Sequence, residues 1–362
     1  MHWLPAILFL PYLFILLKIY RNLLEIKPFI VTKDPGIFVS VIVACRNEQE
    51  NLPRLLNSLQ KQDYQNELFE VIIVNDNSTD RTYEMAFNYN GDCNIIIINN
   101  DGKGKKQALR TGINASRGEL IITTDADCLL GESWIRTIAA FYELNRPDMI
   151  IGPVKLESGP GFLKRFQELE FISLQGVTAG TSLSGQSIMC NGANLAFTRK
   201  SYSDNSNNLH DEIASGDDIF LLHSLKKKKG SKILWLESTD ALVTTASSPS
   251  ASLFFKQRKR WISKGIVYND IFTIAVAILT FVTISLQLYV LISAIINPVY
   301  WDIFLIFFLF KSTLDLLIIQ NTAKRYGVKK LMGWFLPSQF VYPLYVLGVV
   351  LYSLLSSRNQ EY

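Results

Sequence analysis

Short apolar runs alternate with segments of helical periodicity from Phe38 onward, and this alternation constrains the fold more than any other feature of the chain. Apolar residues recur every three or four positions in the helical segments, whereas the runs between them have the length of single strands. The predicted strands are Phe38–Ala44, Glu70–Val74, Asn94–Ile98, Glu119–Thr124 and Met149–Ile151, and the predicted helices are Leu52–Leu59, Asp80–Asn88, Lys105–Ala115 and Glu132–Leu144. Such a βαβα series predicts an α/β fold with a mostly parallel sheet that helices cover on both faces.

Polar side chains collect where the predicted strands end. In strand order these are Arg46 to Glu48, Asn75 to Asn77, Asp101 to Lys105, and the pair Asp125 and Asp127. Ligands of open α/β sheets bind beyond the carboxyl ends of the strands. A strand that ends in Asp-x-Asp also projects two carboxylates that can share a divalent cation with a diphosphate, which is typical of nucleotide-sugar chemistry. The alternative for this pair is a solvated acidic turn.

Apolar residues concentrate at both ends of the chain. Leu4 to Tyr20 is almost wholly apolar and no small-residue cleavage site follows it, so we expect a retained anchor. Three further runs have near-spanning length: Ile271–Ile296, Ile303–Ile319 and Trp334–Leu355. We therefore predict four transmembrane helices, although the run that begins at Ile303 could instead be a long buried helix of a soluble domain. In that run Lys311 and Asp315 stand four apart, which predicts a pair that faces protein rather than lipid.

Basic residues flank the predicted spans in three clusters. They are Lys18, Arg21, Lys27 and Lys33; Lys256, Arg258, Lys259, Arg260 and Lys264; and Lys324, Arg325, Lys329 and Lys330. With four crossings all three clusters fall on one side, which the positive-inside rule makes cytoplasmic. The predicted organisation is an N-terminal transmembrane anchor over 1–20, a cytoplasmic domain over 21–264 and three transmembrane helices over 265–362, in the cell (inner) membrane.

Composition limits the classes of partner. The formal net charge of +4 is explained largely by the membrane-flanking clusters, so nothing indicates nucleic-acid binding. The run Lys226–Lys229 fits a solvated helix end or a contact with anionic lipids of the membrane. The cysteines Cys45, Cys93, Cys128 and Cys190 lack metal-like spacing, and we expect them to be reduced in a cytoplasmic domain.

Seven motifs together resemble those of family 2 glycosyltransferases with the GT-A fold. They are VIVACRNEQENL, VNDNSTDRT, GKGKKQAL, TTDADC, NGANLAF, SGDDIFLL and QRKRW, and they lie between Val39 and Trp261. The resemblance is to the membrane-bound branch that includes cellulose, chitin, hyaluronan and poly-N-acetylglucosamine synthases and ceramide glucosyltransferase. It implies a GT-A (Rossmann-like, mostly parallel) cytoplasmic domain beside the four transmembrane helices.

The resemblance implies a donor site at the strand ends. Its donor-binding residues would be Glu48, Asp76, Lys105, Asp125 and Asp127. Asp127 would contact the metal directly and Asp125 would support it from the nucleoside side; hard oxygen ligands suit Mg²⁺ or Mn²⁺. The alternatives are an Asx turn for Asp76 and an ordinary helix-start turn for Lys105.

The resemblance also implies catalytic and acceptor residues. Where the family usually has Glu-Asp, this chain has Asp217 and Asp218; Asp218 is the expected general base and Asp217 its support. The alternative is that both interact with a helix dipole. Acceptor and diphosphate contacts would come from Gly192, Gln257, Arg260 and Trp261. The alternatives are a turn glycine and an interfacial anchor.

The sequence therefore predicts an inverting, metal-dependent glycosyltransferase of hexosyltransferase type. Its expected partners are a nucleotide-sugar donor, in particular a UDP-sugar, and a lipid or glycan hydroxyl at the cytoplasmic membrane face. A processive polysaccharide synthase is one alternative, and a non-catalytic membrane scaffold with a decayed transferase domain is a second.

Overall fold

The computed structural model describes residues 4–356 apart from residues 92, 158, 211, 212 and 214. The chain divides into two compact units. Unit 1 contains the described parts of 1–26, 158–184 and 247–362, and unit 2 contains those of 27–157 and 185–246. The sequence-based division instead placed all of 21–264 in one domain. Its assignment of segments to the two sides of a membrane stays a prediction.

The regular elements alternate as the sequence predicts, with bounds that differ by one or two residues in most places. The helices are α1 Leu4–Glu25, α2 Leu52–Gln60, α3 Thr82–Phe87, α4 Lys105–Ala115, α5 Trp134–Asn145, α6 Phe162–Leu183, α7 Arg199–Asn205, α8 Asp217–Lys227, α9 Ala251–Ser263, α10 Ile271–Ile296, α11 Trp301–Arg325 and α12 Phe335–Ser356. The strands are β1 Val39–Cys45, β2 Phe69–Asn75, β3 Ile95–Asn99, β4 Leu120–Asp125, β5 Met149–Ile151, β6 Val154–Glu157, β7 Leu195–Thr198, β8 Ile233–Trp235 and β9 Val243–Ala246.

Unit 2 is built on a mostly parallel sheet. Its strand order is β3-β2-β1-β4-β7-β5-β8. The first four of these strands are parallel, β7 runs antiparallel to both neighbours, and β5 pairs in parallel with β8. A separate parallel pair joins β6 to β9. The predicted α/β class with a mostly parallel sheet is therefore confirmed.

Helix α4 is seated on β1 and β2 by small and apolar side chains. Ala108, Leu109 and Ile113 are buried on one face of α4. Between them Gly112 faces the sheet, and a Cβ added there would lie 2.6 Å from Ile42 Cγ2 and 2.9 Å from Val74 Cγ2. The missing side chain lets the helix approach the strands closely, which fixes where the first turn of α4 stands.

Unit 1 contains the apolar ends of the chain together with α6 and α9. Each of the four predicted spans is helical, and α11 is longer than the predicted run. Of the described helices, α10 and the segment Lys329–Leu355 are long and apolar enough to cross a bilayer. Two possible spans are thus supported, whereas crossing by α1 and α11 remains a prediction.

Lys311 and Asp315 face protein, as their spacing predicts. Lys311 is 1% exposed, and its Nζ lies 2.6 Å from Asp315 Oδ2 and 3.2 Å from Gln339 Oε1 on α12. Tyr12 of α1 donates to Asp315 Oδ1 at 3.4 Å. The pair therefore connects three helices through polar contacts, which is how a buried charge is normally compensated.

We expect Gly112→Ala to destabilise unit 2, because its methyl group would overlap Ile42 and Val74 in a packed interface. Overpacking of this kind costs about 1–3 kcal/mol, measurable as a lower denaturation midpoint. Gly36→Ala is the matched control, since nothing lies within 4 Å of the added Cβ and its backbone is not left-handed. Equal midpoints for the two variants would contradict this packing.

Candidate functional site

The strand register brings the polar strand ends of unit 2 to one edge. In the parallel pairs, Ala44 lies opposite Asp125 and Cys45 lies opposite Asn75. The residues that follow β1, β2 and β4 must then emerge side by side. The predicted clustering of donor residues at this edge is a direct consequence of that register.

Asp76 is buried, and its carboxylate shapes the loop before α4. Its carboxylate accepts hydrogen bonds from Gly104 N at 2.9 and 3.0 Å and from Asn100 Nδ2 at 2.7 Å. Gly104 has φ 92°, a left-handed backbone that favours glycine. The neighbouring Asn75 makes the local side-chain contact with the turn after β2, because its Oδ1 accepts from Ser78 N at 3.2 Å.

Lys105 is the cation at the centre of this edge. It forms an ion pair with Asp125 while both side chains stay partly exposed, at 44% and 34%. Burial by itself would lower the pKa of Lys105. The charges of Asp125 and Asp217 and that of Asp218 outweigh this effect and hold the pKa above its ordinary value. Lys105 therefore stays charged among three carboxylates.

The main chain holds the Asp218 carboxylate in place. Oδ2 accepts from Gly192 N at 3.2 Å, and Oδ1 accepts from Ile219 N at 2.8 Å. A Cβ added to Gly192 would lie 3.8 Å from Asp218 Oδ2 and 3.9 Å from Lys105 Nζ. These three residues are thus close together. A methyl group would fit there, so the contact with Asp218 comes from the Gly192 N–H and does not depend on the missing side chain.

Asp217 shares the first turn of α8 with Asp218, as predicted. With Asp218 it lines a small pocket that Thr123 of β4, Leu195 of β7 and Tyr202 of α7 also contact. The position of both acids at a helix start fits the dipole alternative as well. The dipole alternative does not require Asp218 to lie close to Lys105, so this proximity is a feature that it leaves unexplained.

Asp127 and Glu48 form a second acidic group next to Asp125. Burial and then repulsion from Asp125 raise the pKa of Asp127, whose Oδ2 accepts from Thr245 Oγ1 at 3.1 Å. Burial also raises the pKa of Glu48, with smaller contributions from Asp127 and Asp125, although Asn51 donates to its Oε2 at 2.8 Å. Within the described ranges no group of three or more His, Cys, Asp or Glu side chains could hold a metal ion by itself.

Sequence analysis missed Lys106, whose side chain binds main-chain carbonyl groups that precede α8. This lysine is 7% exposed, and its Nζ donates to the carbonyl oxygens of Leu209, His210 and Ile213 at 2.6, 2.7 and 2.8 Å. It also lies 5.2 Å from the centre of the Phe220 ring. The sequence contained a signal for the burial of Lys106, because helical spacing puts this residue on the same face as the buried Leu109 and Ile113.

The QRKRW residues belong to unit 1 and lie on α9. Gln257 and Trp261 are half-buried, whereas Arg260 is exposed. Arg258, which the motif treats as variable, donates from Nη1 to Gln257 Oε1 at 2.6 Å, and its guanidinium lies 3.9 Å from the centre of the Trp261 ring. Gln257 and Trp261 are thus linked through Arg258, as their four-residue spacing allows.

Residues 40–206, a little under half of the chain, match the family model described as Glycosyl transferase family 2. The chain carries a family 2 glycosyltransferase domain. This domain contains the proposed donor residues together with Gly192. Asp217, Asp218 and the QRKRW motif lie beyond the matched segment.

Two curated relatives illustrate how the glycosyltransferase domain is used elsewhere. The chain is 31% identical over 126 residues to the poly(ribitol-phosphate) beta-N-acetylglucosaminyltransferase TarS of Staphylococcus aureus, which is 34% of this chain and 22% of that protein. It is 23% identical over 303 residues to the poly-beta-1,6-N-acetyl-D-glucosamine synthase of Staphylococcus epidermidis, with 80% and 68% covered. The chain thus spans about a fifth of the length of TarS.

A solved structure is similar over nearly the whole chain. It is the mannosyltransferase PcManGT from Pyrobaculum calidifontis, in complex with GDP-Man and Mn²⁺. The TM-score is 0.54 at 18% identity, with 95% of this chain and 99% of that one covered. At this identity the likeness concerns the fold alone, and it agrees with a GT-A-like architecture.

Proposed function

We propose that this protein is an inverting, metal-dependent glycosyltransferase that transfers a sugar from a UDP-sugar to a lipid or glycan hydroxyl. The observation that carries the proposal is the convergence of Lys105, Asp125 and Asp218 at one sheet edge of the unit that carries the family 2 domain. A cation beside a carboxylate that main-chain N–H groups hold in place suits a reaction in which a hydroxyl is deprotonated near a diphosphate.

The donor diphosphate would lie against Asp125, Asp127 and Lys105. Asp125 and Asp127 fit a Mg²⁺ or Mn²⁺ ion, because both offer hard oxygen ligands and a cation would offset the repulsion that raises the pKa of Asp127. When bound, the ion would act as a Lewis acid that stabilises the departing nucleoside diphosphate. Asp76 would bind the nucleoside, and Glu48 would border the donor site.

Asp218 would act as the general base and Asp217 would support it. The acceptor oxygen attacks the anomeric carbon and the bond to the diphosphate oxygen breaks in the same displacement, which inverts the configuration. The proton of the acceptor hydroxyl passes to the Asp218 carboxylate. Two main-chain N–H groups already orient that carboxylate, so little reorganisation accompanies the transfer.

On the strength of the motifs, Gly192 is assigned to the acceptor side of the site in unit 2. Gln257, Arg260 and Trp261 of unit 1 are assigned to acceptor binding, in which Trp261 would stack on a sugar ring. A processive polysaccharide synthase is the second candidate, favoured by the relative that aligns over 80% of the chain. The length distribution of the product distinguishes single transfer from processive synthesis.

The protein would be integral to the cell membrane, in contact with its lipids and with the transferase domain on the cytoplasmic side. Two spans of sufficient length and hydropathy support this location. The basic clusters beside the predicted spans support the orientation.

The purified full-length protein should transfer labelled sugar from a UDP-sugar to a membrane-extract acceptor. Excess chelator should abolish transfer, and added Mg²⁺ or Mn²⁺ should restore it. Asp127→Asn, which removes a charged ligand, should weaken UDP binding and turnover together. Full transfer in excess chelator would refute metal dependence, and no transfer with any nucleotide sugar would favour the non-catalytic scaffold.

Asp218→Asn should separate binding from chemistry, because the amide keeps the size of the side chain but cannot accept the hydroxyl proton. Transfer should fall by roughly 10²- to 10⁴-fold while UDP affinity persists. Asp217→Asn is the matched control and should lose less. The opposite ranking, with Asp217→Asn inert and Asp218→Asn near normal, would make Asp217 the base.

Cysteine labelling tests the orientation in a variant that lacks the four native cysteines. An impermeant reagent added to intact cells should reach a single cysteine near Tyr362, which lies outside the described residues, but not one at Asn207. The cytoplasmic assignment follows from the basic clusters. Labelling at Asn207 before lysis would reverse it.

A further inference from the structure

We propose that Arg258 is a positioning residue that fixes the side chains of Gln257 and Trp261, with Glu170 as its anchor. The inference rests on the proposed function, which gives Gln257 and Trp261 a role in acceptor binding. Arg258 itself has no assigned role, because the contacts that the resemblance implies for QRKRW fall on Gln257, Arg260 and Trp261.

The Arg258 side chain is buried against a carboxylate on another helix of unit 1. Side-chain exposure is 5% for Arg258 and 7% for Glu170 of α6. The contact is bidentate: Nε donates to Oε1 at 3.0 Å, and Nη2 donates to Oε2. Tyr345 of α12 donates to Oε1 at 3.1 Å. A planar guanidinium held at two points has its orientation fixed as well as its position.

The remaining faces of the guanidinium contact the residues of the motif. Nη1 donates to Gln257 Oε1 at 2.6 Å, and the Trp261 ring centre lies 3.9 Å from Cζ. The Phe254 ring centre lies 4.6 Å from the same carbon. Gln257 and Trp261 therefore both contact a group that α6 and α12 hold through Glu170 and Tyr345, and Gln257 Oε1 has a second, longer bond from Ser248 Oγ at 3.5 Å.

Apolar packing surrounds this polar centre. Phe166 of α6, Phe254 of α9 and Tyr345 and Val349 of α12 form a buried cluster. Removing only one charge from such a site leaves its partner uncompensated, whereas replacing all the polar members with apolar residues of similar volume can restore stability. A variant in which all the polar members are replaced can therefore regain stability without regaining the positioning of Gln257 and Trp261, which lets an experiment distinguish the two roles.

The test compares three forms of the full-length protein with wild type. The first is Arg258→Met. The second combines it with Glu170→Met and Tyr345→Phe, so that no buried polar partner is left behind. The third is Arg325→Met, a matched control whose guanidinium donates to the carbonyl oxygens of Leu23 and Ile26 elsewhere in unit 1. For each form we would measure the thermal midpoint, UDP affinity and the turnover number, at a temperature where all forms are folded.

We expect Arg258→Met to lower both the midpoint and the turnover number, the latter by about 10²-fold, as misplacement by about 1 Å can do. The triple variant should recover the midpoint while its turnover number stays low. Arg325→Met should lose stability and keep its turnover number, and UDP affinity should be unchanged throughout. Recovery of turnover in the triple variant, or an equal loss of turnover in Arg325→Met, would overturn the proposal.

A spectroscopic readout keeps this inference separate from the proposed function. The emission of Trp261, obtained as the difference between each protein and its Trp261→Phe form, should change in Arg258→Met and in the triple variant but not in Arg325→Met. If wild type transfers no sugar, the proposed function fails while this readout still tests positioning. Unchanged Trp261 emission in Arg258→Met would overturn the positioning role.

Discussion

The parallel register of β2, β1 and β4 is the constraint on which the proposed donor and catalytic site depends. It sets Cys45 opposite Asn75 and Ala44 opposite Asp125, so the chain must leave these strands at one edge. Asp76 and Asp125, far apart in sequence, are thereby brought to a common edge. Gly112 provides a second constraint. It lets α4 pack closely on the sheet, which determines the position of Lys105 at the start of that helix.

Positive and negative charges are distributed unevenly along this edge, and this distribution is what suits the edge to the proposed reaction. Lys105 lies among Asp125, Asp217 and Asp218 and stays protonated, whereas burial first and then repulsion from nearby carboxylates, including Asp125, raise the pKa values of Asp127 and Glu48. On the side of Asp127 and Glu48 negative charge is in excess, which would favour the binding of a divalent cation. On the other side, the N–H groups of Gly192 and Ile219 keep the Asp218 carboxylate oriented near Lys105, as the proposed general base requires.

Unit 1 also contains buried cationic side chains that are paired with carboxylates. Lys311 and Arg258 are buried, and each has a carboxylate and a further polar side chain as partners. The arrangement links separate helices, Arg258 of α9 to Glu170 of α6, and Lys311 of α11 to Gln339 of α12. Burial without such partners would cost several kcal/mol per ion. These contacts therefore specify which helix faces meet, beyond what apolar packing could specify.

The amino-acid sequence by itself determined the alternation of strands and helices, the position of Asp125 at a strand end and that of Asp217 at a helix start. Helix α4 was predicted with the observed bounds, since its apolar spacing and the preceding Gly104 are local signals. The predicted pairing of Lys311 with Asp315 was confirmed because four-residue spacing is also local. Only the tertiary structure decided that Asp76 shapes the loop at Gly104, that Lys106 rather than Lys105 binds the carbonyl groups of Leu209, His210 and Ile213, and that Arg258 contacts Gln257 and Trp261. Each of those contacts joins a side chain to a partner that is remote in sequence or singles out one of two neighbouring residues with the same chemistry. Local periodicity carries no information about which partner the folded chain brings within reach.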